Sequence, residues 1–311
     1  MARPSSFLAF LGVASAAAFL TSGCTSVKKM AVNQLADSLA SGGSTFASDD
    51  DPELVRQAVP FSLKLMESLL AENPRHPKLL LAACSGFTQY TYAFVQEDAD
   101  ELEANDFAAA EALRERTRKL YKRARDYGLR ALEVAHPGIT ARLAAEPRSA
   151  AQTATAADVP ALYWTAASWG AYVSASKDNP AAIAEIAQVE ALVDRATQLD
   201  EAWGDGALHE LLITLEMTRP DGAGKPVERA RRHFERAVEL SHGTQAGPYV
   251  SYAESVCVET RDPAGFDRML QMALAVDPNA RPEHRLANTV MQRRARWLLE
   301  KKDDLFLSVS Q

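Results

Sequence analysis

The chain is poor in cysteine, in aromatic residues and in long uncharged runs, and each scarcity removes a class of protein. Three cysteines (Cys24, Cys84 and Cys257) in 311 residues are too few for a disulfide-stapled scaffold. With only six scattered histidines beside them, they supply no metal framework. An excess of basic charge is also missing. Lys and Arg number 34 against 41 Asp and Glu, a formal net charge of −7, so a nucleic-acid surface is not expected. Beyond Pro52 there is almost no period-two alternation and no hairpin dipeptide, which argues against sheets. Catalytic signatures fail in turn. In "GAGKP" (222–226) Arg219 stands where a phosphate loop needs its first glycine, and Pro226 replaces the hydroxyl residue. His209 and Glu210 lack a second histidine one turn later, and no Gly-x-Ser-x-Gly elbow occurs. No catalytic residue, metal site or cofactor is assigned, and an enzyme is not expected.

The one long uncharged run lies at the start. Phe7 to Leu20 has neither charge nor proline, and Arg3 is the only positive charge before it. The run is shorter than the roughly 20 residues that span a bilayer core, but suits the apolar region of a secretory signal. Leu20-Thr21-Ser22-Gly23-Cys24 resembles a bacterial lipobox, with Thr21 where leucine is commoner. Residues 1–23 are therefore read as a lipoprotein signal peptide and Cys24 as the lipidated first residue of the mature chain. A cleaved soluble form and an uncleaved anchor are the alternatives. Thr25, which is not an aspartate, favours the outer membrane by resemblance to the lipoprotein sorting rule. Residues 24–51, with "SLASGGSTFASDDD", have the Ser, Gly, Ala and Asp content of a flexible tether, with one short helix around Val27 to Leu39. The helical body runs over 52–307 and a short tail over 308–311.

Within the body the apolar residues recur at three-to-four spacing. Breaks carrying proline or glycine fall at 73–77, 136–138, 178–180, 219–226, 242–248, 261–263 and 277–282. Pro60 is expected to kink the first helix or start its main part. Ala124/Gly128/Ala131, Val189/Val193/Ala196, Ala230/Phe234/Ala237 and Phe266/Leu270/Ala273 share the register of tetratricopeptide repeats, at separations near one and two repeat lengths. The fold class is all-α: an array of antiparallel helix pairs, degenerate and tetratricopeptide-like, leaving a curved groove. Cys84 and Cys257 lie in apolar helical patterns and are expected to be buried free thiols, although a periplasmic location would permit a disulfide.

Two segments stand out. In "DVPALYWTAASWGAYVSASKDN" (158–179), Asp158 can cap a helix, and Tyr163, Trp164, Trp169 and Tyr172 crowd into ten residues of a chain only 7% aromatic. Trp164 and Trp169 are five positions apart, about 140° around a helix, so one face cannot bury both. These four residues are core, or they are a ligand or partner surface. Phe87 and Tyr90, with Phe94, form a second aromatic stripe open to the same two readings. The run "RERTRKLYKRARDYGLR" (114–130) holds eight Lys and Arg. It is a solvated helix face, a dock for an acidic partner, or a contact for membrane headgroups.

"PELVRQAVPFSLKLMESLLAENP", "RTRKLYKRARDYGLRALE", "DVPALYWTAASWGAY" and the closing "RARWLLEKKDDLF", in this order, resemble the T-component (TatT) family of tripartite ATP-independent periplasmic (TRAP) transporters, from about Asp51 to Phe306. The resemblance implies a lipid-anchored helical-repeat protein of the periplasm that partners the transporter's periplasmic substrate-binding protein. It also implies a trimer with a hydrophobic pore or cleft, and hydrophobic ligands such as lipids or organic acids. It carries over no catalytic residue. The competing reading is a repeat-type lipoprotein scaffold for cell-envelope assembly.

Overall fold

Proline and acidic caps set where the helices begin. In the computed structural model, which describes residues 33–41, 43–219 and 224–306, the Asp51 carboxylate accepts hydrogen bonds from the backbone N–H groups of Glu53 and Leu54. Pro52 fills the first turn that follows, where its missing N–H is no loss. This helix, α1 (Pro52–Glu72), contains Pro60 as a single helix. His76 caps α2 (Pro77–Thr91), and Asp106 caps α3 (Phe107–Ala135). The body continues through α4 (Val159–Ser174), α5 (Ile186–Leu199), α6 (Ala207–Thr218), α7 (Pro226–Leu240), the short α8 (Gly247–Tyr252), α9 (Pro263–Ala275) and α10 (Arg285–Glu300), with shorter helices between some of them. No strand occurs among the described residues. Asp158 does not cap α4. Its carboxylate accepts from the Thr155 N–H and hydroxyl and meets His136 Nε2 at 2.9 Å, which ties the preceding 3-10 turn to the end of α3.

Every helix from α1 to α10 packs on its neighbour in the chain, and α2 also packs on α4, α6 on α8, and α8 on α10. The residues of the recurring pattern, apart from the half-buried Phe234, lie where these helices meet. Ala124, Val189, Val193, Ala196, Ala230, Ala237, Phe266, Leu270 and Ala273 are all buried. Gly128 shows why size matters there. A Cβ on it would stand 2.4 Å from Thr165 Oγ1 and 3.0 Å from Cys84 Sγ, so α2, α3 and α4 approach closely only over a glycine. Cys84 and Cys257 are free and buried, and burial pushes their thiols up to about 12 and about 11.

The segment read as a tether is partly built into the body. Residues 33–41 and Gly43–Ala47 are helical, Ala36 is buried, and Leu39 and Phe46 pack against the first apolar cluster. Cys24, the signal region and the 308–311 tail lie outside the described residues.

The two ends of the array meet. Helix α10 packs on Gly43–Ala47 and on α1, and Arg285 Nη1 donates to the Ser48 carbonyl at 2.8 Å. Arg293 pairs with Asp98 at 3.0 Å and Glu101 at 2.7 Å, while Arg294 pairs with Asp100 at 2.8 Å and Glu254 at 2.6 Å. Two π-helical turns, Tyr92–Gln96 after α2 and Ala253–Cys257 after α8, bring Glu97 and Glu254 to this seam. Such turns interrupt the regular ladder and are frequent where side chains must be re-aimed. Glu97 is fully buried, and among the described residues neither carboxylate oxygen has a hydrogen-bond partner; Arg294 Nε stands 3.7 Å away.

Candidate functional site

The aromatic residues of α4 differ in how deeply they are buried. Trp169 is 7% exposed, and its Nε1–H donates to Glu185 Oε2 at 2.7 Å. The Arg125 guanidinium lies 5.2 Å from the Trp169 ring and 5.1 Å from the Tyr172 ring, and pairs with Glu185 at 2.8 Å. Trp169 and Tyr172 are thus packed under a charge pair that joins α3 to the start of α5. Phe87 and Tyr90 are placed in the first apolar cluster, 3% and 9% exposed. Phe87 stacks on Tyr127, and Tyr90 meets Phe94 at a tilt of 53°.

Tyr163, nearer the start of α4, packs against the same apolar cluster as Trp169, with Trp164 beside it. The Tyr163 ring contacts Trp164 edge-on at 4.9 Å and Trp203 at 4.7 Å, and all three residues are only half-buried. Trp203 reaches them from the turn before α6, where Gly204, Asp205 and Gly206 have positive φ of 65°, 53° and 97°. Gly206 must be small, because a Cβ would meet the Ala237 carbonyl at 3.0 Å.

A carboxyl group adjoins this cluster. Burial drives the Glu210 pKa up to about 7, against a hydrogen bond from Ser251 on α8. Gly247, at the start of α8, leaves the room that Glu210 occupies, for a Cβ there would lie 2.3 Å from Glu210 Oε1. Burial, and then the charge of Glu210, push the Tyr163 hydroxyl well above the usual phenol value. Yet Tyr163 and Glu210 both retain accessible surface. Tyr163 and Trp203 pack against the second apolar cluster, so the surface they retain adjoins a desolvated region. α4, the turn before α6 and α6 itself thus bring together three aromatic rings and a carboxyl whose pKa burial raises, the ingredients of a site for an apolar ligand with a polar end.

Sequence reasoning named Tyr163 and Trp164 but missed Trp203 and Glu210. Only the lone tryptophan beside a Gly-Asp-Gly turn hinted at Trp203. A cleft of about 290 Å³ opens between α5, α6 and α7. Its charges are already matched, with Arg219 held by Asp194 at 3.0 Å and Glu216 at 2.9 Å. The adjoining His233 is driven down to about 4 by burial and the nearby His209. No cluster of three or more metal-ligating side chains occurs among the described residues.

The site yields a direct test. Trp164→Ala removes a half-buried ring, so its stability loss should fall well below the roughly 3–5 kcal/mol of a fully packed tryptophan. Urea unfolding measures that loss, and a deficit as large as that of a core ring would make Trp164 structural.

Comparison with known proteins identifies the family. The TRAP transporter T-component family profile matches residues 48–306. An uncharacterized protein of Treponema pallidum (strain Nichols) is 33% identical over 315 residues, covering 94% of this chain and 96% of the relative. No described helix is long and apolar enough to cross a membrane. The matched region takes in α1 to α10 with their seam and the aromatic cluster of α4, and the chain belongs to the TRAP transporter T-component family.

Proposed function

We propose that the chain is a lipid-anchored accessory of a TRAP transport system, without enzymatic activity of its own, facing the periplasm from the outer membrane. In this reading it binds the periplasmic substrate-binding protein and holds an apolar ligand between Tyr163, Trp164, Trp203 and Glu210. Family membership over residues 48–306 supports the transport link. The half-buried rings beside a desolvated carboxyl carry the ligand part. The helices pair in the manner of a degenerate tetratricopeptide array, and the trimer implied by family resemblance is the oligomer we expect.

Purification of the full chain from its own cells, followed by native mass spectrometry, tests the association. The substrate-binding protein of a TRAP system should accompany it. Recovery of outer-membrane assembly factors in its place would favour the scaffold reading. The anchor has a separate test: Cys24→Ala should leave an unprocessed precursor that takes up no labelled palmitate. Palmitate entering mutant and wild type alike would refute lipidation at Cys24.

A further inference from the structure

The basic run of α3 is more ordered than a solvated helix face requires. Arg116, Arg123 and Arg130 recur every seven residues, so they line one face about 10.5 Å apart, with a drift of only about 20° per step. Each lies against an aromatic ring: Arg116 is 6.0 Å from Tyr90, Arg123 is 5.5 Å from Phe87, and Arg130 is 5.2 Å from Tyr127. The rings restrain the guanidinium groups while all three arginines stay exposed. An arginine held this way loses less freedom when its planar fork meets an anion.

Little in the fold neutralises them. Arg116 Nη2 donates to the Tyr90 hydroxyl at 3.4 Å, and Arg130 Nη2 donates to the Pro74 carbonyl at 2.9 Å; neither partner carries a negative charge. Arg123 has Glu67 at 3.5 Å, but that carboxylate also accepts from Lys64 and from the Tyr127 hydroxyl. The neighbouring acids are engaged as well, Glu115 with Lys119 and Asp126 with Arg125. In a chain of net charge −7, this stripe is a local reversal of sign.

The place where the chain enters the body selects the partner. Asn33, the first described residue, accepts through Oδ1 a hydrogen bond of 2.8 Å from Asn73 Nδ2. Asn73 adjoins Pro74, whose carbonyl receives Arg130, and Arg75 is exposed on the same turn. Cys24 is nine residues before Asn33, at most about 30 Å of chain. We infer that the Arg116/Arg123/Arg130 face of α3 docks on an anionic phospholipid surface, the guanidinium groups contacting headgroup phosphates. The stripe supplies the anion preference; the choice of a membrane as its partner rests on the lipid on Cys24 proposed above, which would hold the body within that distance.

Vesicle co-sedimentation of the full chain tests this, comparing phosphatidylcholine alone with an equal mixture of phosphatidylcholine and phosphatidylglycerol. Any apolar contribution of the N-terminal run is common to both, so the ratio of the two partition coefficients isolates the charge effect. The wild type should prefer the anionic vesicles, and the preference should fade as salt rises. R116Q/R123Q/R130Q should lower it by about a hundredfold, roughly fivefold for each basic residue lost. R116K/R123K/R130K keeps the charge and should keep most of the preference. Equal binding to both vesicles by the wild type would overturn the inference, as would a glutamine variant that keeps the preference or a lysine variant that loses it. If the glutamine variant binds vesicles normally but no longer retrieves a protein partner, the stripe docks protein and the lipid assignment fails. The association proposed above can fail in its own test without touching this one.

Discussion

Trp169→Ala is expected to destabilise the protein by about 3–5 kcal/mol, the range for a large aromatic cut from a packed core. The ring is 7% exposed, so truncation leaves a cavity under Arg125 rather than a surface dent. It also removes the Nε1–H donor to Glu185, which shares that carboxylate with Arg125. Urea unfolding of the single variant reads the loss directly, and a small loss would mean that α4 and the start of α5 relax into the gap. Because Trp164 is half-buried, the pair should separate clearly. Equal, large losses at both positions would remove the case for a ligand-facing ring on α4.

Glu97→Gln is expected to act in the opposite direction, and only above acidic pH. Burial raises the Glu97 pKa from its ordinary 4.5 to about 8, against the attraction of Arg294. The folded state therefore prefers the neutral carboxyl. The stability associated with that preference is fully present below about 4.5 and is lost as pH rises through about 8. Each pH unit in the window is worth about 1.4 kcal/mol, so the wild type should lose on the order of 3 kcal/mol between pH 5 and 8 through this group. Glutamine keeps the shape and carries no charge. The variant should match the wild type near pH 5 and exceed it in urea unfolding at pH 8. A variant weaker by the same amount at both values would show instead that Glu97 is ionised throughout and paired with Arg294.

What the sequence made legible follows from range of interaction. Helix ends marked by proline or glycine, at 73–77, 136–138 and 261–263, coincide with connections between helices, because those residues act through their own backbone. The break at 103–106 has neither and went unread; Asp106 capping α3 is its one local sign. The split between Trp164 and Trp169 followed from helix geometry alone. The partners of Tyr163 did not, since Trp203 and Glu210 are supplied by another part of the chain. For Phe87 and Tyr90 the stripe could not distinguish core from site, and both lie in the first apolar cluster. The seam was hidden for a related reason. Nothing near Arg293 and Arg294 in the sequence marks their partners, and only the returning path of α10 shows which carboxylates they meet.

That returning path changes how the protein must be assembled. In an open array each hairpin needs only its neighbours, so folding can advance with the chain and a lost terminal unit costs about its own share. Here Arg293 meets Asp98 across 195 positions, and Arg294 meets Asp100 across 194. The first helices cannot acquire their last partners until nearly the whole chain is available, a contact of high sequence separation and hence slow to form. A chain stopped before α10 would leave Asp100 and Glu101 without their arginines and Asp98 with Arg56 alone, and would uncover α1 on one side. Removal of the last helix should therefore loosen the first, and amide exchange in α1 would register damage made at the opposite end of the sequence.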